Sequence, residues 1–259
     1  MVSQTDDRDW RTAFEQTYSA SPSSPVMERV WRAALGDEYP AGIDPHSYVT
    51  NSELQRFADE LNVGPGAMLA DIGCGRGGAG LRVASATGAS LIGIDIAEAP
   101  LVDARARAQA LGLAAEFRRG EFEATGLDDA SVDAVMSVDA LLFTPDKAAA
   151  MRELRRVMRP GGRLVLTSWD YHTQPLGRPP QVPDHRPHLE PSGLRLLAYE
   201  DAADWRARMA LIHKGLLAEV DALAAEEGVP ADEMLAAIEE MDATVATMTR
   251  RFLLVAEAA

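Results

Sequence analysis

The chain has 259 residues, enough for one large domain with a substantial core, and its 47% hydrophobic and 25% charged residues are typical of a soluble globular protein. Its formal net charge is −15 and it contains only the lysines Lys147 and Lys214, so we expect no nucleic-acid-binding surface. No apolar run of about 18 residues occurs, so we expect no membrane span. The N-terminus does not resemble a signal peptide, and the one cysteine cannot form an intramolecular disulfide, so we expect a cytoplasmic protein.

Three amphipathic helices are predicted before the first strand. The first covers residues 10–18 and is separated from the second, at 26–35, by a stretch rich in serine and proline. The third covers residues 52–61 and begins at a good N-cap, either Asn51 or Ser52. These helices precede the most informative part of the chain.

Residues 67–78 combine a short buried strand with a glycine-rich turn. The strand ends in Asp-Ile-Gly-Cys-Gly-Arg-Gly at 71–77, and a helical pattern follows. Because glycine has no Cβ, this turn can bring backbone N–H groups and a helix N-terminus close to a ligand. The next strand ends in Asp95, where a carboxylate can accept hydrogen bonds from both hydroxyls of a ribose. The pattern predicts a ligand that contains a ribose.

Strands and helices alternate through the middle of the chain. Nearly continuous apolar strands that alternate with helices indicate a parallel sheet with helices on both faces. A loop rich in proline follows at 171–193, and the remaining elements are a strand, two helices and a last strand. The seven predicted strands lie near 67–72, 90–95, 114–119, 132–138, 163–168, 194–199 and 251–256, and the late helices at 202–227 and 231–247.

The Asp-x-Gly-x-Gly-x-Gly turn resembles that of the class I S-adenosylmethionine (SAM) methyltransferases. Dinucleotide dehydrogenases usually show Gly-x-Gly-x-x-Gly instead. Residues 151–166, with Pro160-Gly161-Gly162, resemble the same family's helix, turn and fifth strand. The resemblance covers about residues 67–168 and implies an α/β, Rossmann-like, seven-stranded, mostly parallel sheet with an antiparallel last strand. The implied units are an N-terminal helical lid (1–62), the SAM-binding core (63–200), a helical insertion or lid (201–248) and a final core strand (249–259).

The resemblance implies SAM as cofactor, S-adenosylhomocysteine as product, and a set of cofactor-binding positions. Asp71 and the glycines of the turn would meet the amino-acid end of SAM, and Asp95 the ribose. Glu121 would accept from the adenine amino group, Phe122 would pack on the adenine or serve as a structural aromatic, and Ser137 would contribute mainly its backbone. The predicted set is Asp71, Gly73, Cys74, Gly75, Gly77, Asp95, Ile96, Glu121, Phe122 and Ser137.

Two residues are candidates for the chemistry itself. His172 follows the fifth strand at the carboxyl edge of the sheet, where a neutral imidazole could accept a hydroxyl proton; the alternative is an exposed loop histidine. Asp139, after the fourth strand, would orient the acceptor. The sequence shows no pair of acids with a neighbouring histidine, so we predict no metal site.

The main hypothesis is an enzyme that transfers a methyl group from SAM to an O, N or C atom of a small, mostly apolar organic molecule. One alternative is a SAM-binding enzyme of the same fold that catalyses a non-methylating step such as cyclisation, and another is a non-catalytic binding protein. The apolar residues of 202–247 predict either an acceptor pocket shared with residues 10–50 and 170–217, or a homodimer interface.

Overall fold

The computed structural model describes residues 9–20 and 24–259. A seven-stranded sheet forms the centre, with the strand order β3-β2-β1-β4-β5-β7-β6. Strands β1 to β5 are parallel, and β7 is antiparallel to both of its neighbours. The predicted fold class is confirmed. The strands are β1 (Met68–Ile72), β2 (Ser90–Asp95), β3 (Ala115–Arg119), β4 (Val132–Val138), β5 (Met158–Tyr171), β6 (Leu194–Asp201) and β7 (Met248–Ala258).

Helices cover both faces of the sheet and extend beyond it. None of those in the described part of the chain is long and apolar enough to cross a membrane. Short 3-10 turns occupy Gly36–Glu38, Leu141–Phe143, Arg186–His188 and Glu190–Ser192. The α-helices are α1 (Trp10–Ala20), α2 (Pro25–Leu35), α3 (Asn51–Glu60), α4 (Gly78–Thr87), α5 (Ala99–Leu111), α6 (Lys147–Val157), α7 (Trp205–Ala218), α8 (Val220–Glu227) and α9 (Ala231–Ala246).

The sheet differs from the predicted one mainly at its late strands. β5 begins at Met158 and includes the Pro-Gly-Gly segment, because Met158 pairs with Val132 before an irregularity in the ladder. β7 is longer than predicted because it pairs along its length with both β5 and β6. The helix predicted at 202–227 is two helices, α7 and α8, with a break at Glu219 that no glycine or proline marks.

The late helices pack mainly on α2, and Trp205 and Met209 of α7 are also buried with Trp169 and Tyr171 of β5. Ile212 and Leu216 of α7 are buried with Val30 and Trp31 of α2. A Cβ at Gly215 would lie 2.7 Å from a methyl carbon of Val30, so this glycine allows the close approach of the two helices. Most of the apolar surface of 202–247 therefore has an intramolecular partner, while Leu211 and Leu217 stay exposed.

A buried ion cluster attaches the N-terminal helices to the sheet. Arg251 of β7 is 1% exposed, and its guanidinium donates to both carboxylate oxygens of Asp139 at 3.0 and 3.1 Å. It also donates to Glu53 of α3, whose other oxygen accepts from the Thr50 N–H in a capping box. Asp139 in turn accepts from the Tyr48 N–H at 2.8 Å. One cation thus holds the end of β4, the start of α3 and the segment before it.

Replacing Arg251 by alanine should lower the free energy of unfolding by about 3–5 kcal/mol, because Asp139 and Glu53 would be left buried without their cation. Arg159→Ala is the matched control: its partner is Asp133 and both side chains are partly exposed, so the cost should stay below about 1 kcal/mol. Urea denaturation of the two variants measures the difference. Equal losses would show that the cluster does not attach the helices to the sheet.

Candidate active site

The glycine turn after β1 is held by the end of β2. The N–H groups of Gly73 and Cys74 both donate to the Ile94 carbonyl, at 2.8 and 3.0 Å, and the Gly75 N–H donates to Asp95 Oδ2 at 2.8 Å. Gly73 has φ +75°, and a Cβ there would lie 2.3 Å from the Cβ of Ala140. Only glycine therefore fits at this position, and its missing side chain keeps the backbone open to a ligand.

Asp95 organises this turn and keeps acceptor capacity. Its other oxygen, Oδ1, accepts from the Ala97 N–H at 3.1 Å, and burial raises the pKa of the carboxyl above its ordinary value. Each carboxylate oxygen has two lone pairs, so two hydroxyl groups of a ligand can still be bound. This geometry suits the predicted contact with a ribose.

Asp71 carries an unsatisfied carboxylate oxygen at the base of the same turn. It is 1% exposed, and its Oδ2 has no hydrogen-bond partner among the described residues. Burial, with a smaller contribution from the nearby Asp95 carboxylate, raises the pKa of Asp71 to about 7. The Gly80 N–H is bonded to this carboxyl, but a buried carboxylate oxygen without a partner of its own is costly. An ammonium group bound here would compensate it, so the residues of the turn fit the amino-acid end of SAM.

A cavity of about 320 Å³ opens beside the turn and contains most of the predicted site. Its walls come from the carboxyl ends of β1, β2 and β4, from α1, and from the segment that precedes α3. Ligand pockets commonly have volumes of about 300–1,000 Å³. The predicted residues that line it are Asp71, Gly73, Cys74, Gly75, Asp95, Ile96, Glu121, Phe122 and Asp139.

Gly77 and Ser137, both predicted to bind the cofactor, do not line the cavity. Gly77 has φ +74° at the start of α4, and a Cβ there would lie 3.1 Å from Ala104 and 3.2 Å from the Phe117 ring, so it is needed for packing. Ser137 is fully buried in β4.

Cys74 does line the cavity, but burial raises the pKa of its thiol well above the ordinary value, which disfavours a nucleophilic thiolate.

Glu121 and Phe122 line the cavity from the segment that follows β3. The Glu121 carboxylate is bonded to Arg11 of α1 and is thereby committed to the helix that covers the cavity. The Phe122 ring would be 3.4 Å from a Cβ at Gly73, so it borders the space above the turn. Their predicted contacts with adenine stay predictions.

Asp139 is an anchor in this structure. It has φ +52°, is 7% exposed, and is bonded through its carboxylate to Arg251, the Thr167 hydroxyl (2.7 Å) and the Tyr48 N–H. The partners already occupy both carboxylate oxygens of Asp139. Asp139 borders the cavity and fixes the segment that closes it.

His172 lies outside the cavity. Its ring is exposed, with Nδ1 2.8 Å from the Thr173 hydroxyl and Nε2 3.1 Å from the Ala246 carbonyl. The catalytic role of His172 stays a prediction, and this position does not favour it. In the described part of the chain, no group of three or more His, Cys, Asp or Glu residues could hold a metal ion.

Residues 10–50 were expected at the acceptor pocket, but Trp10, Phe14 and His46 were not singled out from the sequence. Trp10, Phe14 and Tyr18 occur every four residues along one face of α1 and all line it, so their spacing was a usable signal. His46 lines it from a segment without periodicity. Arg76, buried in the glycine turn, donates to Asp103 at 2.8 Å and to the Tyr18 carbonyl at 3.1 Å, and so ties α1 to the turn.

Comparison with known proteins agrees with this site. Residues 70–166 match the family model of a methyltransferase domain. Methyltransferase GfsG of Streptomyces halstedii is 32% identical over 129 residues, 49% of this chain and 46% of that protein. The 24-methylenesterol C-methyltransferase 2 of Oryza sativa subsp. japonica is 35% identical over 126 residues, 48% of this chain and 35% of that protein. The chain therefore matches less than half of the length of these relatives.

Similarity to solved structures extends over almost the whole chain. The crystal structure of the cyclase SpnF has a TM-score of 0.71 at 22% identity, covering 95% of this chain and 91% of that one. At this identity the likeness shows the fold alone.

Asp95→Ala should weaken the binding of S-adenosylhomocysteine at least about tenfold, because charge-assisted hydrogen bonds to the ribose and to the Gly75 N–H are lost. Asp232→Ala, an exposed acid at the start of α9, should leave affinity unchanged. Calorimetric titration measures both. If Asp95→Ala binds as tightly as the unaltered protein, the assignment of Asp95 to the ribose is wrong.

Affinity for S-adenosylhomocysteine should rise about tenfold between pH 6 and pH 8. A carboxyl with a pKa of about 7 is mostly protonated at pH 6 and mostly ionised at pH 8, and the ligand's ammonium group binds the ionised form. Binding near pH 7 should therefore release a proton, which titration in two buffers of different ionisation heat detects. Asp71→Asn should bind more weakly and lose this pH dependence; a variant that keeps it would exclude Asp71 as the source.

Proposed function

We propose that this chain, whose core belongs to the class I SAM-dependent methyltransferases, transfers the methyl group of SAM to an O, N or C atom of a small, mostly apolar organic molecule. The observation that carries the proposal is one cavity in which the unsatisfied Asp71 carboxylate, the open backbone at Gly73 and the ribose acceptor Asp95 meet. Each matches one part of SAM.

The chain's own residues contribute mainly by positioning. SAM supplies an electrophilic methyl group on a sulfonium when it is bound. Asp71 and Asp95 are proposed to hold its two ends, and Asp139 to fix the wall next to the methyl group through the Tyr48 N–H. Holding two reactants in a near-attack geometry can supply about 7–11 kcal/mol of the barrier reduction. No covalent intermediate on the protein is needed.

Helix α1 is proposed to be the lid of the site. Polar contacts join both ends and the middle of this helix to the core. Arg11 is bonded to Glu121, and the Tyr18 carbonyl accepts from Arg76. Between them, Glu15 accepts from the N–H groups of Glu98 and Ala99 at 2.8 and 3.3 Å. Polar contacts of this kind can open without exposing a large apolar surface. The aromatic face of α1 points to the cavity, which supports a mostly apolar acceptor.

The proposed setting is the cytoplasm, and the proposed partner is a small molecule. A single buried thiol, Cys74, suits a reducing compartment. The net charge of −15 does not suit nucleic acid as the acceptor. A non-methylating reaction such as cyclisation is the second candidate, because the cyclase SpnF shares the fold.

The protein incubated with methyl-labelled SAM and fractionated pools of small metabolites should transfer label to an organic-soluble product and form one S-adenosylhomocysteine per methyl group. Chelation with EDTA should leave the rate unchanged, since the described residues contain no group of three or more His, Cys, Asp or Glu that could hold a metal ion, and Asp44, Glu121 and Asp139 of the cavity wall are paired with arginines. Asp95→Ala is the matched control and should lose most of the transfer. A changed product without label would favour cyclisation, and rescue of a chelated enzyme by magnesium would contradict metal independence.

A further inference from the structure

We propose that the acceptor is an uncharged molecule with a hydroxyl group on an apolar body, and that His46 takes the proton from that hydroxyl during methyl transfer. The inference rests on the proposed function, because it concerns the acceptor half of the same cavity. It starts from the lining residues that are not assigned to the cofactor. These are His46 and the aromatic face of α1, which consists of Trp10, Phe14 and Tyr18.

His46 lies between the glycine turn and the end of β4. It belongs to a segment that starts at Ile43, whose Cα would be 3.2 Å from a Cβ at Gly78, and that is bonded to Asp139 through the Tyr48 N–H. The imidazole meets the Tyr18 ring edge-on, with centroids 5.2 Å apart. The Tyr18 hydroxyl lies 3.1 Å from the Cβ position of Gly75. His46 therefore lines the cavity beside the glycine turn, on the segment that Asp139 fixes at the end of β4.

The groups around His46 favour its neutral form. The protein atoms around its imidazole lower the pKa below the ordinary value by desolvation, and Arg76 of the glycine turn lowers it further, while the residue as a whole stays exposed at the cavity. Asp44, on the same segment, raises it, but this carboxylate is also bonded to Arg107 at 3.0 Å. Tyr18 of α1 completes the surroundings as a neutral phenol, because burial raises its pKa. A neutral imidazole at pH 7 can accept a proton.

The rest of the acceptor wall offers few free charges for a phosphate or an ammonium group: among the described carboxylates there, Glu123 alone lacks a cation, and it accepts from a hydroxyl and an N–H. Among the described carboxylates that line the cavity, apart from Asp71 and Asp95, each has a partner. Arg76, the basic group in the wall, donates to Asp103. The carboxylate pairs are Asp44 with Arg107, Glu121 with Arg11, Asp139 with Arg251, and Glu123 with the Thr144 hydroxyl and the Asp146 N–H.

An aromatic cluster borders the same space. Trp10 and Phe14 of α1 each lie 4.8 Å from Phe143, measured between ring centroids, and Phe14 meets Phe143 edge-on. All three rings are half-buried and line the cavity. Such rings bind flat or branched apolar groups and give little to a strongly hydrated head group. The body of the acceptor is therefore apolar, and its reactive group lies at His46.

The proposed step balances in atoms and charge. The hydroxyl oxygen forms a bond to the methyl carbon, while the bond from that carbon to sulfur breaks and its electron pair stays on sulfur. The hydroxyl proton moves to a ring nitrogen of His46, so the positive charge of the sulfonium is replaced by that of an imidazolium. The products are a methyl ether and S-adenosylhomocysteine, and the imidazolium then releases its proton to water.

Three probes with the same ten-carbon chain test the acceptor class: geraniol, geranyl diphosphate and geranylamine, each titrated into the protein saturated with S-adenosylhomocysteine. Geraniol should bind at least about tenfold more tightly than either charged probe. Phe14→Ala should weaken geraniol at least about tenfold and change the affinity for S-adenosylhomocysteine less than twofold, since the Phe14 ring packs with Trp10 and Phe143 in the aromatic part of the wall. Failure of geraniol to bind, or tighter binding of a charged probe, overturns the proposal.

His46→Gln tests the base, because glutamine keeps a polar group but cannot take the proton. Methyl transfer from labelled SAM to geraniol should fall by about 10²-fold or more, with S-adenosylhomocysteine affinity within twofold of the unaltered protein. The rate of the unaltered protein should rise with pH through the pKa of His46, measured by NMR below the ordinary value for histidine, and this rise should be absent in the variant. His188→Gln, a histidine outside the cavity, should behave as the unaltered protein.

The outcomes separate this inference from the proposed function. If His46→Gln and His188→Gln have equal rates, if His172→Gln is the variant that loses activity, or if bound geraniol is not methylated, His46 is not the base. If label enters only charged molecules from the metabolite pools, methyl transfer stands and this inference is wrong. If no molecule is labelled at all, the proposed function itself fails.

Discussion

The buried guanidinium of Arg251 is the contact on which the arrangement of the site depends. It neutralises Asp139 at the end of β4 and Glu53 at the start of α3, which belong to different parts of the fold. Burying three ionised groups is costly, and their mutual attraction repays the cost only when the geometry is well matched. The segment that carries His46 is attached to this cluster, because the Tyr48 N–H donates a hydrogen bond to Asp139. The cluster therefore specifies a position for the acceptor wall as well as linking helices to sheet.

The carboxylates of Asp71 and Asp139 are buried in opposite ways. Asp71 is buried without a cation, and its raised pKa records that the protein alone does not satisfy it. Asp139 is buried with its cation and donors already in place. A ligand's ammonium group gains most at the first and least at the second. The protein thus uses one acid to attract part of a ligand and another to shape the wall around it.

The sheet and the cofactor half were readable from sequence because their signals are local. Apolar strands, the glycines at 73 and 75, and acids at strand ends fall within a few residues of one another, and each has one physical explanation. The acceptor half was not readable in this way. Arg251 is 112 positions away from Asp139, so no spacing connects them, and without that pairing Asp139 resembles a catalytic acid. His172 has the right neighbours in sequence, but its ring is bonded to the Ala246 carbonyl. His46 lies in a segment whose position is set by Asp139.

The late helices shape the acceptor wall without lining it. α7 packs on α2, and Trp31 of α2 donates from its indole Nε1 to the Ser47 carbonyl at 2.9 Å, directly beside His46. Tyr48 packs against Trp31 on one side and Trp169 on the other, with ring centroids 5.9 Å apart in both pairs. A substitution at the contact between α2 and α7 would therefore move the acceptor wall through Trp31 and leave the glycine turn, held by β2, in place. The acceptor side of the cavity can therefore change its shape while the glycine turn, proposed to bind the cofactor, keeps its structure.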